Sequence, residues 1–103
     1  MVKSIKDVES LAIGVLREYP VKRAALFGSV ARGDMTEQSD LDMIVEFMPD
    51  TRGIIFFGLY TDLEQRCGRS VDLLTFNALE HEAKGHFKEN VMREMRVIYE
   101  REE

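Results

Sequence analysis

An apolar run, Ala24-Ala25-Leu26-Phe27, stops at Gly28-Ser29, and ten residues later the chain resumes with Asp40-Leu41-Asp42-Met43-Ile44-Val45-Glu46-Phe47. A strand that ends in glycine, followed by an alternating strand that begins in two carboxylates, constrains the fold more than any other feature. At a period of two, Leu41, Met43 and Val45 fall on one face, and Asp40 and Asp42 share the other. The apolar face has to be covered, and two carboxylates converging on one point repel unless a counter-charge lies between them.

The surrounding pattern supplies the cover. Ser4 followed by Asp7 resembles a capping box, and Ile5, Val8, Leu11, Ala12, Val15 and Leu16 recur at helical spacing, which predicts a helix from Ile5 to Glu18, ended by Tyr19-Pro20. Val21 to Phe27 and Leu41 to Phe47 read as strands. Phe56, Tyr60, Leu63 and Cys67 mark a helix over 54–67 that stops at Gly68, a good residue for a left-handed helix end. Ser70 to Phe76 reads as a third strand, a polar helix is predicted from Glu80 to Met95, and Val97-Ile98-Tyr99 as a short edge strand. This order predicts an α/β (α+β) fold, a small mixed β-sheet with helices packed on it, in one domain spanning 1–103.

The chain carries 19 acidic and 14 basic residues, a net charge of −5, so its overall field repels a long nucleic acid rather than gathering one. A single nucleotide triphosphate remains compatible, because a divalent cation, backbone N–H groups and one or two basic side chains can meet its charge locally. The lone Cys67 makes no internal disulfide, and neither a signal peptide nor a long apolar run opens the chain, which predicts a cytoplasmic protein with no membrane association.

Gly28 lets the backbone approach a phosphate where a Cβ would collide, and Ser29 offers a hydroxyl and an N–H near the start of a helical turn. Asp72, second in the third strand, joins Asp40 and Asp42 if that strand pairs beside theirs. Three carboxylates suit one or two Mg²⁺ ions and in-line displacement at phosphorus. Arg32 lies three residues beyond Ser29 and carries a planar fork suited to phosphate, and Ser39 fixes the turn that presents Asp40. The catalytic and metal-ligating set is therefore Asp40, Asp42 and Asp72, with Gly28, Ser29, Arg32 and Ser39 assigned to the nucleotide side.

Gly28-Ser29, Ala31-Arg32-Gly33, Ser39-Asp40-Leu41-Asp42 and Val71-Asp72-Leu73-Leu74-Thr75 together resemble the nucleotidyltransferase superfamily typified by DNA polymerase beta, and more narrowly its minimal nucleotidyltransferase branch. The resemblance implies ATP or another triphosphate as donor, Mg²⁺ as cofactor and a hydroxyl as acceptor. Minimal members are similar to the antitoxin encoded beside a HEPN-type RNase toxin, where AMP is attached to a tyrosine of the toxin. With no additional domain to grip an acceptor, the chain is expected to depend on a HEPN-type partner, in a hetero- or homo-oligomer. Two alternatives stand beside this: a binding antitoxin that neutralises its partner without chemistry, and a nucleotidyltransferase for a small molecule such as an aminoglycoside.

Blander expectations complete the reading. His81 and His86, five apart, face solvent, and Cys67 is core. Ile54-Ile55-Phe56-Phe57 packs under the sheet, with a docking patch as the alternative. Arg66 and Arg69, and Lys84, Lys88, Arg93 and Arg96, lie on solvated helix surface.

Overall fold

The computed structural model describes residues 4–82 and 85–101. Helix α1, Ile5–Leu16, opens with the predicted capping box: Asp7 N–H donates to Ser4 Oγ (3.1 Å) and Ser4 N–H to Asp7 Oδ2 (3.3 Å). It ends two residues before the predicted Glu18. Glu18 N–H donates to Val15 O (2.9 Å) and Tyr19 N–H to Leu16 O (3.2 Å), so the chain tightens into an i→i+3 turn ahead of Pro20, which disfavours helical backbone in the residue before it.

Strand β1, Val21–Phe27, runs directly into a short helix, α2, Gly28–Arg32, closed by Gly33 in the left-handed region (φ 85°). Strand β2 is Leu41–Phe47 and helix α3 is Ile54–Cys67, ended by left-handed Gly68 (φ 68°), all at the predicted bounds. Strand β3 is Val71–Thr75, shorter than the predicted 70–76. Thr75 Oγ1 accepts from Ala78 N–H (3.0 Å) and so caps the next helix, α4, Phe76–Glu82, drawing Phe76 out of the strand. The single predicted helix over 80–95 is instead α4 and a separate α5, Phe87–Glu94, with Gly85 left-handed (φ 63°) before it; residues 83 and 84 of that prediction, Lys84 included, lie outside the described residues. Strand β4, Arg96–Glu100, extends the predicted edge strand.

The four strands form one mixed sheet in the order β3-β2-β1-β4: β1 is antiparallel to β2 and β4, and β2 is parallel to β3. Alternation sends the strands' apolar residues to two faces. Ala24, Leu26, Leu41, Met43, Val45, Val71 and Leu73 meet α1 and α3 through Val8, Ala12, Val15, Leu16, Leu59, Leu63 and buried Cys67. On the other face Ala25, Phe27 and Ile44 pack against Leu79 of α4 and Val91 of α5. That second, smaller core decides the site, because Asp42 and Ile44 share a face. One residue, Met43, separates a buried isoleucine from the carboxylate at the margin of its apolar cover.

Two expectations about the surface are corrected. Ile54 and Phe57 do not pack under the sheet: they are 71% and 66% exposed, because the helix turns Leu59, Leu63 and Cys67 inward instead. Arg96 belongs to β4 rather than to a helix, and pairs with Glu9 of α1. Among the described residues no helix is long and apolar enough to cross a membrane.

Candidate active site

The site forms where β1 hands over to α2. Phe27 lies opposite Asp42 in the β1–β2 ladder, so the next residue, Gly28, passes over the Asp42 side chain. Gly28 has φ 69°, and a Cβ there would overlap the Asp42 carboxylate, with Cγ at 3.0 Å and Cβ at 3.3 Å. Only glycine suits both the backbone and the gap. Buried Val30 anchors α2, and Ser29 O accepts from Gly33 N–H (3.0 Å) and Asp34 N–H (3.1 Å), which closes the turn behind the Ser29 hydroxyl.

The parallel pairing of β2 with β3 sets Asp42 and Asp72 side by side in register, as Leu41 is beside Val71. Leu41 N–H donates to Ser70 O at 2.8 Å, locking the first rung of that ladder. Gly28, Ser29, Arg32, Asp42 and Asp72 thus line one cavity of about 400 Å³, within the range of small-molecule sites. Asp40 is exposed at the head of β2, outside that lining but near enough to act on Asp42. Ser39 also stands outside it. Its Oγ accepts from Thr36 N–H (2.9 Å) and contacts Thr36 Oγ1 (3.2 Å), so its hydroxyl serves the turn before Asp40, leaving its assignment to the nucleotide side without a contact in the cavity.

Half-buried Asp42 is pushed up to about pKa 6, first by burial against the apolar face, then by the charges of Asp72 and Asp40, with Arg32 partly offsetting them. Among the described residues no three carboxylate, imidazole or thiol groups form a ready-made ion cage. The predicted triad is three like charges, which repel until a cation neutralises them. The donor set nevertheless fits a hard divalent cation: it is all oxygen, two members are in register on adjacent strands, and the third adds to the same field.

A stability consequence follows from the direction of that shift. Asp42 binds its proton more tightly folded than unfolded, so its stabilising contribution is complete below its ordinary value of 3.8 and is lost as pH rises through about 6. The Asp42→Asn protein lacks this loss. In metal-free buffer the melting temperature of Asp42→Asn minus that of the wild type is expected to grow from pH 4 and to level off above about pH 6; a flat difference would refute the placement of Asp42.

Arg32 is held in this state by two carboxylates, Nε to Asp34 Oδ2 at 3.4 Å and Nη1 to Glu94 Oε2 at 3.2 Å. Glu94 belongs to α5, which supplies the cavity wall that sequence reading missed: Phe87, Asn90, Val91 and Glu94. Their spacing of three, four and seven was a legible helical stripe, but an acid, an amide and an exposed aromatic do not read as one face in a polar helix. Arg69 was also misread as solvated surface. Its Nη1 donates to Thr36 O (3.2 Å) and Ser39 O (3.0 Å), and its Nε is buried without a partner, so it ties the approach to β3 to the turn that carries Asp40.

A glycine-opened helical turn facing carboxylates on adjacent strands of a mixed sheet defines a nucleotidyl-transfer fold. Residues 12–103 match the family described as polymerase beta, nucleotidyltransferase, and the chain belongs to that family. It is a nucleotidyltransferase. A candidate protein adenylyltransferase of Methanocaldococcus jannaschii is 37% identical over 76 residues, covering 74% of this chain and 82% of the relative. Protein adenylyltransferase MntA of Thermococcus cleftensis is 30% identical over 100 residues, 93% of this chain and 95% of its own. A solved candidate minimal nucleotidyltransferase superposes with a TM-score of 0.72 at 29% identity, over 91% of this chain and 95% of that one. A complex of a tri-AMPylated Shewanella oneidensis HEPN toxin with its MNT antitoxin contains a similar fold, with a TM-score of 0.66 at 19% identity, over 94% of this chain and 73% of that one.

Proposed function

We propose that this nucleotidyltransferase moves AMP from ATP, with Mg²⁺, to a hydroxyl of a protein partner, a tyrosine of a HEPN-type RNase toxin, and thereby acts as its antitoxin. The observation that carries the reading is the convergence of Gly28-Ser29 with in-register Asp42 and Asp72 in one cavity. The names of the relatives favour an adenylyl donor and a protein acceptor, and the AMPylated toxin of the structural neighbour favours the partner class.

In this reading the Gly28 backbone and the Ser29 hydroxyl and N–H seat the terminal phosphates, and Arg32 exchanges Glu94 and Asp34 for phosphate oxygens. Asp40, Asp42 and Asp72 would hold the cation, which when bound polarises the α-phosphoryl group and neutralises departing pyrophosphate. The acceptor oxygen bonds to the α-phosphorus as the bond to the bridging oxygen of pyrophosphate breaks. The acceptor's proton passes to the Asp72 carboxylate, which is exposed and so open to an incoming hydroxyl. The apolar floor of Phe27 and Val91 excludes water from one side.

The test is to co-express the chain with a HEPN-type RNase toxin and to follow labelling of that protein by α-phosphate-labelled ATP. Labelling at tyrosine by the wild type and none by Asp40→Ala/Asp42→Ala is expected. A partner silenced equally by both, without an adduct, would replace the catalytic reading with the binding one. Exposed Ile54 and Phe57 on α3 are the observation that favours that second reading, since apolar surface of this kind suits a protein contact.

A further inference from the structure

We propose that Phe87 and Asn90 of α5 form the nucleobase end of this site, the base stacking on the Phe87 ring and its polar edge meeting the Asn90 amide. The inference rests on the nucleotidyl-transfer reading and specifies where the substrate's base lies. The cavity has two chemically distinct ends along α5. Glu94, paired with Arg32 of the phosphate-side turn, marks one. Phe87, seven residues earlier on the same wall, marks the other, about 10 Å away along the helix axis at 1.5 Å per residue. The Arg32 fork draws phosphate oxygens to the first, and a flat apolar group fits the second.

Phe87 is 43% exposed, an aromatic ring left open to solvent in a cavity whose other apolar members, Phe27 and Val91, are buried. Its ring sits edge-on to Phe27, centroids 6.1 Å apart at 84°, so it is oriented by the core without being covered by it. Phe27 is the residue immediately before Gly28, which couples the aromatic end directly to the phosphate turn. Asn90 follows one turn later on the same wall. Arg93 Nη2 donates to Asn90 Oδ1 at 2.5 Å, which fixes the amide and presents its NH₂ group as a donor. Stacking on an aromatic tolerates every base, whereas an amide can discriminate among base edges, so the two residues divide affinity from selectivity.

The experiment is equilibrium binding of ATP, GTP, CTP and UTP with Mg²⁺, beside inorganic tripolyphosphate, which reaches only the phosphate end. Phe87→Ala and Phe87→Leu are expected to weaken nucleotide binding about ten- to a hundredfold while tripolyphosphate binding stays unchanged, and Phe87→Trp to restore it. Asn90→Ala is expected to narrow the spread among the four nucleotides. Full affinity in Phe87→Leu would overturn the stacking role, since leucine keeps the apolar volume and loses the ring face. Equal loss of nucleotide and tripolyphosphate would overturn it as collapse of the site, and an unchanged spread in Asn90→Ala would overturn the part given to the amide. A wild-type protein that binds neither ligand would instead overturn the nucleotidyl-transfer reading beneath it.

Discussion

Asp42→Asn is expected to lower nucleotidyl transfer about a thousandfold while leaving the protein folded and, at pH 7, more stable than the wild type. The substitution is nearly isosteric, so the Gly28 approach and the strand register survive it. What it removes is the carboxylate that lines the cavity and stands under the influence of Asp72 and Asp40. Cation-assisted charge stabilisation contributes several kcal/mol at a phosphoryl transition state, and each 1.36 kcal/mol is tenfold in rate, which sets the scale at about three decades. Stability moves the other way because ionised Asp42 is partly desolvated and faces two like charges, a cost that the neutral amide does not carry. Single-turnover labelling with α-phosphate-labelled ATP and a thermal melt in metal-free buffer read the two effects. Activity within tenfold of the wild type would remove Asp42 from the machinery, and loss of activity together with loss of stability would make its role structural.

Gly28→Ala is expected to lose about a hundredfold in transfer and, unlike Asp42→Asn, to melt earlier. Alanine at φ 69° costs about 1–2 kcal/mol, and its Cβ has to displace the Asp42 carboxylate or lift α2 from β2. Either movement shifts the phosphate turn against the carboxylates by a fraction of an ångström or more, and misplacements of about 1 Å cost on the order of a hundredfold. Gly14→Ala is the control. A Cβ at Gly14 meets nothing within 4 Å and the residue lies inside α1, so this variant is expected to gain about 0.5–1 kcal/mol and keep full activity. If Gly28→Ala keeps wild-type activity and melting temperature, the close approach of turn and carboxylate is wrong.

The contrast between these two glycines shows how unevenly the site was legible. Both are the same letter in an apolar context, and only the motif spacing singled out Gly28. Strand alternation assigned Asp40 and Asp42 to one face without further information, and the helix over 54–67 with its Gly68 stop followed from periodicity alone. The boundary errors have local causes that propensity underweights: Thr75 capping α4 removed Phe76 from β3, and left-handed Gly85 precedes a separate α5. Arg69 and Arg66 looked alike on the page. One clamps two carbonyls of the Asp40 turn and the other pairs with Glu18 on the surface, a difference made by residues at least 30 positions away.

By itself the sequence determined what depends on neighbours within a few residues: the period-two alternation of β2 that buries Leu41, Met43 and Val45 on one face, the glycine turn at the end of β1, and the amphipathic cover of α1 and α3. Tertiary structure alone decided what depends on partners distant in the chain. The parallel register that sets Asp42 beside Asp72 joins residues 30 apart. Asp42 becomes partly buried when the sheet is covered, and α5 closes the strand face into a cavity with Phe87, Asn90, Val91 and Glu94 on its wall. Periodicity is a property of the backbone geometry and is written locally; register, burial and opposing charge are properties of which surfaces meet, and those emerge only when the sheet closes.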